Sequence, residues 1–319
     1  MTVQAADPAS LTNAFGKSLD PAFAARLAGI FHSPVVSAAT DRLTLADGSS
    51  IPVVNGVPRF VASDQYVRSF SFQWTLYKSA QHDAPNNSDF SKTDFISKTG
   101  LTPEDVRGKL VLDAGCGSGR LLELLAEWGA WVIGADLSLS VDVAHHCLLG
   151  HDRSIVLQAD IGNLPFRPET FDFVVSCGVL HHTPDTREYA GRLVPLVRPG
   201  GELAIWVYGP HLAKRQHWIP LTSRLPHKAF NEWCHWITGL ARTWPDNHLL
   251  EILYRQMPFT FKHETHDRSA LAMFDGYTPT YHGVHTEEEM MEWFRDFGLV
   301  DMRSSRLQSS MRGRKPDTA

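Results

Sequence analysis

The chain contains no run of 18 uncharged apolar residues, so none of its 319 residues reads as part of a membrane-spanning helix. It also lacks a basic surplus. With 30 Lys and Arg against 35 Asp and Glu, the formal charge is -5, which excludes a broad electrostatic footprint for nucleic acid. Cysteine is scarce: Cys116, Cys147, Cys177 and Cys234 form no CxxC pair, which excludes a zinc ribbon and a disulfide framework and leaves free thiols as the expectation. Met1 to Ser10 lacks the basic and apolar regions of a secretory leader, so the expected location is cytoplasmic. Internal repeats and low-complexity tracts are absent too, and nothing in the sequence indicates an oligomeric state. What remains, at 43% hydrophobic and 20% charged, has the composition of an ordinary globular protein with an ample core.

The middle of the chain is the legible part. Leu110–Asp113, Trp131–Ala135, Ile155–Ala159, Phe171–Ser176 and Glu202–Val207 are short strand-type runs rich in β-branched and aromatic residues. Between them lie helical patterns: Arg120–Trp128 puts Leu121, Leu124, Leu125 and Trp128 on one face, Ser140–Leu149 opens on a capping serine, and Asp185–Val197 is interrupted by Pro195. Such alternation predicts an α/β, Rossmann-like and mostly parallel sheet, whose ligands bind at the carboxyl ends of the strands. A helix over Thr286–Phe297 and two last strands, Leu299–Ser304 and Gln308–Arg312, predict an antiparallel hairpin at the sheet edge and complete seven strands. The expected organisation is an N-terminal extension (1–65) with a small β element, a core (66–209), an inserted lid (210–285) and a C-terminal return to the core (286–319). The β element rests on the turn pairs Asp47-Gly48 and Asn55-Gly56.

Chemistry concentrates at the strand ends. Asp113-Ala114-Gly115-Cys116-Gly117-Ser118-Gly119 runs from a strand through three alternating glycines into a helix, a turn that lets backbone approach a ligand closely. Glycines alone need signify only a tight turn. Asp113 sharpens the reading, because a carboxylate there would repel a pyrophosphate but attract an ammonium, and Arg120 occupies the position where a dinucleotide fingerprint has its last glycine. Asp136, at the end of the second strand and 17 residues beyond Gly119, suits the two hydroxyls of a ribose, with Leu137 beside it. Asp160 and Ile161, at the end of the third, suit an adenine amino group and ring.

Together these segments resemble the class I S-adenosylmethionine (SAM)-dependent methyltransferase family. The glycine motif, Asp136 and Asp160 match its cofactor-binding acids; Phe171–His182 resembles its fourth motif and Leu196–Leu203 its turn into the fifth strand. The resemblance implies SAM as cofactor, held by Asp113, Ala114, Gly115, Gly117, Gly119, Asp136, Leu137, Asp160, Ile161 and Cys177. Phe70–Trp74 resembles an aromatic stretch that closes over the cofactor in some members, which adds Gln73 and Trp74. The early β element resembles a zinc-ribbon leader without its cysteines, so no metal is implied.

For a methyl donor that is already activated, the protein must mainly exclude water and align the partners. His181 and His182 follow the fourth strand and are the candidate general bases. Tyr277, Tyr281 and His282 are candidate substrate contacts. The pairs His263/His266 and His282/His285 have helical spacing, but among sixteen histidines such pairs arise by chance, and no metal is expected. Trp218, Trp233, Trp236 and Trp244 are expected to build the lid's own core rather than to meet a membrane. The leading expectation is methyl transfer to a small metabolite, with no nucleic-acid or membrane partner. The alternatives are a SAM-dependent cyclase that forms azetidine-2-carboxylate and methylthioadenosine, a non-catalytic SAM-binding module, and a macromolecule methyltransferase.

Overall fold

A computed structural model of the chain describes residues 5–61, 89–243 and 265–317. The N-terminal unit begins with helices α1 (Pro8–Ala14) and α2 (Pro21–Ile30), each opening on a proline behind an aspartate, Asp7 or Asp20, that accepts two backbone N–H groups of the first turn. Four strands follow, β1 (Val35–Ala39), β2 (Arg42–Leu45), β3 (Ser50–Val54) and β4 (Val57–Pro58), paired antiparallel in sequence order. Asn55 and Gly56 both take positive φ, 55° and 78°, as the expected two-residue hairpin requires. Phe31 stacks between Phe60 and Phe166, and the Lys17 ammonium, buried, donates to the carbonyls of Leu148, His151 and Ser154 and to Ser154 Oγ. Beyond β4, Phe60 N–H donates to Gln158 O at 2.8 Å, while Arg59 and Gln158 form a parallel bridge.

Helices α3 (Phe90–Thr99) and α4 (Pro103–Val106) lead into the main sheet. Its strands are β5 (Leu110–Ala114), β6 (Trp131–Asp136), β7 (Ser154–Gln158), β8 (Phe171–Cys177), β9 (Val197–Trp206), β10 (Val300–Arg303) and β11 (Ser310–Arg314), in the spatial order β10-β11-β9-β8-β5-β6-β7. The five central strands are parallel, and β11 runs antiparallel to both β9 and β10. Strand order reverses at β5, which has β6 on one side and β8 on the other, so the ligand crevice of such a sheet opens above β5.

Helices α5 (Arg120–Glu127), α6 (Val141–Cys147) and α7 (Thr186–Leu193) make the crossovers. In α5 the side chains of Leu121, Leu122, Leu124 and Leu125 are buried, and Gly129 at φ 84° ends the run. Pro195 shortens the third helix: a 3-10 turn, Val194–Leu196, replaces its last residues. The fifth strand starts earlier than its apolar run suggests, at Val197, because Pro199–Gly201 is accommodated as an irregularity in the pairing of β8 with β9. C-terminal helix α11 (Glu287–Asp296) carries a full capping box, with Glu289 N–H donating to Thr286 Oγ1 and Thr286 N–H donating to Glu289 Oε2.

Between β9 and α11 the chain builds α8 (Ile219–Thr222), α9 (His227–Thr243) and α10 (His266–Tyr277). These pack a small core of their own from Phe230, Cys234, Ala270, Met273, Phe274 and Tyr277, with Trp233 against it. Trp236 points outward, and Trp244 lies outside the described residues.

Candidate active site

A cavity of about 460 Å³ opens at the reversal point. Its floor is the glycine turn. Gly115 has φ 93°, and a Cβ built there would lie 2.4 Å from both methyls of Val179; Gly119 has φ 89°, and its Cβ would lie 2.8 Å from Ala144 Cβ. Only glycine lets this turn lie so close to both the β8 loop and α6.

Two acids stand over the turn. Asp136 Oδ2 accepts Gly117 N–H at 2.9 Å, and its Oδ1 accepts Ser138 N–H at 2.8 Å and Ser138 Oγ–H at 2.6 Å. Asp113 is the more deeply buried of the two, yet its Oδ2 has no hydrogen-bond partner among the described residues. Burial, and then the neighbouring charge of Asp136, push the Asp113 carboxyl up to about 7. Burial raises Asp136 as well, but its hydrogen bonds oppose the rise, so Asp136 is the better stabilised anion of the pair. Cys177 lines the same wall; burial pushes its thiol up to about 12, which leaves it protonated and unfit as a nucleophile.

The opposite wall comes from elements that carry no motif. Phe90, Asp94 and Lys98, one turn apart along α3, face the cavity. Asp94 Oδ2 accepts Lys98 Nζ at 2.9 Å and Arg120 Nη2 at 2.8 Å; burial acts to raise this carboxyl, but the two cations outweigh it and hold it low. Arg120, the residue in place of a last glycine, is therefore one member of a buried charge cluster. The guanidiniums of Arg120 and Arg268 lie 5.3 and 5.0 Å from the Phe90 ring centre, and Lys98 Nζ sits 4.1 Å from that of Trp206. Trp206 and Tyr208, at and just beyond the end of β9, supply aromatic surface, and Tyr208 O–H donates to Asp275 of α10 at 3.3 Å.

The expected site residues fall into two groups. Asp113, Gly115, Gly117, Asp136, Leu137, Ile161, Cys177 and His182 line the cavity. Ala114 lies within the sheet, where its carbonyl accepts Ser176 Oγ–H, and Gly119 supports the turn from behind. Asp160 is not on the wall, because its Oδ1 accepts Gly162 N–H and so closes its own loop. Nor is His181: it is fully buried, its ring stacked on Tyr208 at 3.7 Å, its Nδ1 accepting Tyr208 N–H, and burial holds it well below the ordinary imidazole range. Tyr277 belongs to the lid's core, since its apolar ring is fully enclosed by α9 and α10. Tyr281 contributes its backbone, the carbonyl accepting from His182 Nδ1 at 2.9 Å, and the His282 ring lies tilted against Tyr208 at 5.2 Å, outside the lining. Gln73, Trp74 and His263 fall outside the described residues. The sequence reading missed Phe90, Asp94, Lys98, Trp206, Tyr208, Arg268 and Asp275; the i, i+4, i+8 spacing of the first three was the one local signal.

Residues 112–205 match the sequence profile of the family described as methyltransferase domain. This segment is thus similar to methyltransferase domains. Over 100 residues the chain is 39% identical to the ubiquinone biosynthesis O-methyltransferase of Coxiella burnetii, covering 31% of this chain and 43% of that protein. It is 34% identical over 108 residues to the tRNA U34 carboxymethyltransferase of Hahella chejuensis, covering 31% and 32% respectively. The chain thus spans less than half the length of these curated relatives. A SAM-dependent methyltransferase structure from Aquifex aeolicus aligns over 68% of this chain and 89% of its own, at 14% identity and a TM-score of 0.39. The similarity to methyltransferase domains makes SAM the group against which the cavity is tested. The cavity fits that group: Asp113 lines it with a buried carboxylate oxygen that has no partner among the described residues, and the glycine floor leaves no side chain in the way.

Proposed function

We propose that the chain transfers a methyl group from SAM to a small-molecule acceptor bound between the glycine turn and the lid. The observation that carries this reading is the Asp113 carboxylate, buried and lacking a partner for Oδ2, at the floor of a cavity whose far wall is Trp206, Tyr208 and α10. Asp113 would hold the cofactor's ammonium, Asp136 its ribose hydroxyls, and Leu137 and Ile161 its adenine. When bound, SAM supplies an electrophilic methyl on a sulfonium.

The chain's own residues provide the rest. The lid and the aromatic wall exclude water and align the acceptor, which is the larger part of what such a reaction needs. His182 reaches the cavity with its Nδ1 on the Tyr281 carbonyl. A carbonyl only accepts, so Nδ1 carries the proton and the neutral ring has its lone pair on Nε2, the form that can take a proton from a hydroxyl or amine acceptor. His181 is a positioning residue, since it stacks on Tyr208 without reaching the cavity.

The test is to incubate the purified protein with SAM alone and then with a metabolite extract, resolving nucleoside products by mass spectrometry. S-adenosylhomocysteine formed only with the low-molecular-mass extract supports the proposal. Methylthioadenosine formed without any acceptor replaces it with intramolecular cyclisation. If turnover appears only with a protein or RNA fraction, the acceptor is macromolecular; no product from any fraction makes the domain a binding module.

A further inference from the structure

Away from the cavity, the two long lid helices bring together a set of metal-type donors. We propose that His235 on α9, with His266 and Asp267 at the start of α10, forms a zinc site that fastens these helices to each other. One donor atom from each residue lies within 4.8 Å of the others, and His235 Nδ1 is 4.0 Å from Asp267 Oδ1. Donors held at about 2.0–2.1 Å around a tetrahedral zinc are roughly 3.3–3.4 Å apart. The Asp267 side chain is 67% exposed, which leaves it room to approach His235.

The tautomers favour ligation. His266 Nε2 lies 2.8 Å from the His235 carbonyl, which can only accept, so Nε2 carries the proton and Nδ1 keeps its lone pair in the neutral ring. A ligating histidine commonly has its other nitrogen on a backbone carbonyl, an arrangement that fixes ring orientation and raises donor strength. Two imidazoles and one carboxylate suit zinc and leave a fourth position for water.

The place gives the site a role. Asp267 precedes Arg268, whose side chain is on the cavity wall, and α10 also supplies Ala272 and Asp275 to that wall. Fixing the first turn of α10 against α9 would hold this wall in register without the metal meeting acceptor or cofactor.

The experiment uses the full chain, stripped with chelator and titrated with zinc by calorimetry and with cobalt by visible absorption. The parent is expected to take up zinc at this site, with a tetrahedral-type cobalt spectrum. The His235→Ala and His266→Ala variants should each weaken zinc by more than the roughly 10–100-fold that an outer partner alone is worth. Asp267→Asn, at an exposed side chain that leaves the lid's packing intact, should weaken it as well. Undiminished zinc uptake by the double histidine variant, or no uptake by the parent at micromolar zinc, overturns the proposal. SAM affinity, measured alongside, should be the same in all variants, which keeps this result separate from the assignment of the cofactor cavity.

Discussion

If the vacant oxygen of Asp113 receives the cofactor's ammonium, SAM affinity must depend on whether that carboxyl is ionised. With the group at about 7 in the free protein, only about one molecule in eleven carries the charge at pH 6, against about ten in eleven at pH 8. Apparent affinity should therefore be about tenfold tighter at pH 8, a difference of about 1.4 kcal/mol. At pH 6 binding should release close to one proton, which calorimetry in two buffers of different ionisation enthalpy would read directly. The sign for stability follows from the same displacement. Between about pH 4 and 7 the folded free protein keeps a proton that the unfolded chain has already lost, so stability falls as pH rises through that window. The rise from 3.8 to about 7 corresponds to about 4 kcal/mol, fully felt above pH 7 and relieved when an ammonium neutralises the site. Asp113→Asn should bind SAM weakly with no slope between pH 6 and 8. Equal affinities at the two values in the parent, or an unchanged slope in the variant, would refute the reasoning.

Other outcomes can be checked singly. Asp136→Ala removes the acceptor of Gly117 N–H and of Ser138 and should lose most SAM affinity; retained affinity would remove the ribose role. Gly119→Ala places a methyl 2.8 Å from Ala144 Cβ and 2.9 Å from its Cα at a φ of 89°, and should cost about 1–3 kcal/mol in thermal unfolding, where a parental Tm would contradict the close packing. Lys17→Met takes the ammonium from the carbonyls of Leu148 and Ser154, leaving His151 its bond from Ser154 Oγ–H, and should cost roughly 2–3 kcal/mol in urea titration, with the denaturant slope unchanged. His182→Asn should lower kcat by about 10²–10⁴-fold at unaltered SAM affinity; a parental kcat would leave the reaction without this base.

The glycine-turn half of the cavity was readable in sequence because its parts are local. Asp113 and Asp136 each end a strand, the glycines follow within a few residues, and strand ends of a parallel sheet converge on one edge by topology. Asp160 met the same local rule and yet is not on the wall, since a short loop can consume its own carboxylate in a turn. The opposite wall has no such grammar. Asp94 and Arg120 are bonded across 26 positions, and Tyr208 meets Asp275 across 67, so neither pair leaves a periodic trace. Tyr277 shows the converse: an aromatic residue near a site in sequence can serve only to fill a helix interface.

The N-terminal unit has a consequence for how the molecule behaves among its own copies. Strand β7 is the last of the main sheet, and its outer side would present unpaired backbone to any extended segment nearby. Residues 5–61 run past that border: Asp20 N–H donates to Asp152 O, Phe60 N–H to Gln158 O and His32 N–H to Pro165 O, while Lys17 clamps the turn leading into the strand. Every residue of Ser154–Gln158 is buried. The segment thereby acts as a built-in guard against intermolecular strand pairing, and a core trimmed of it would be expected to self-associate through that border.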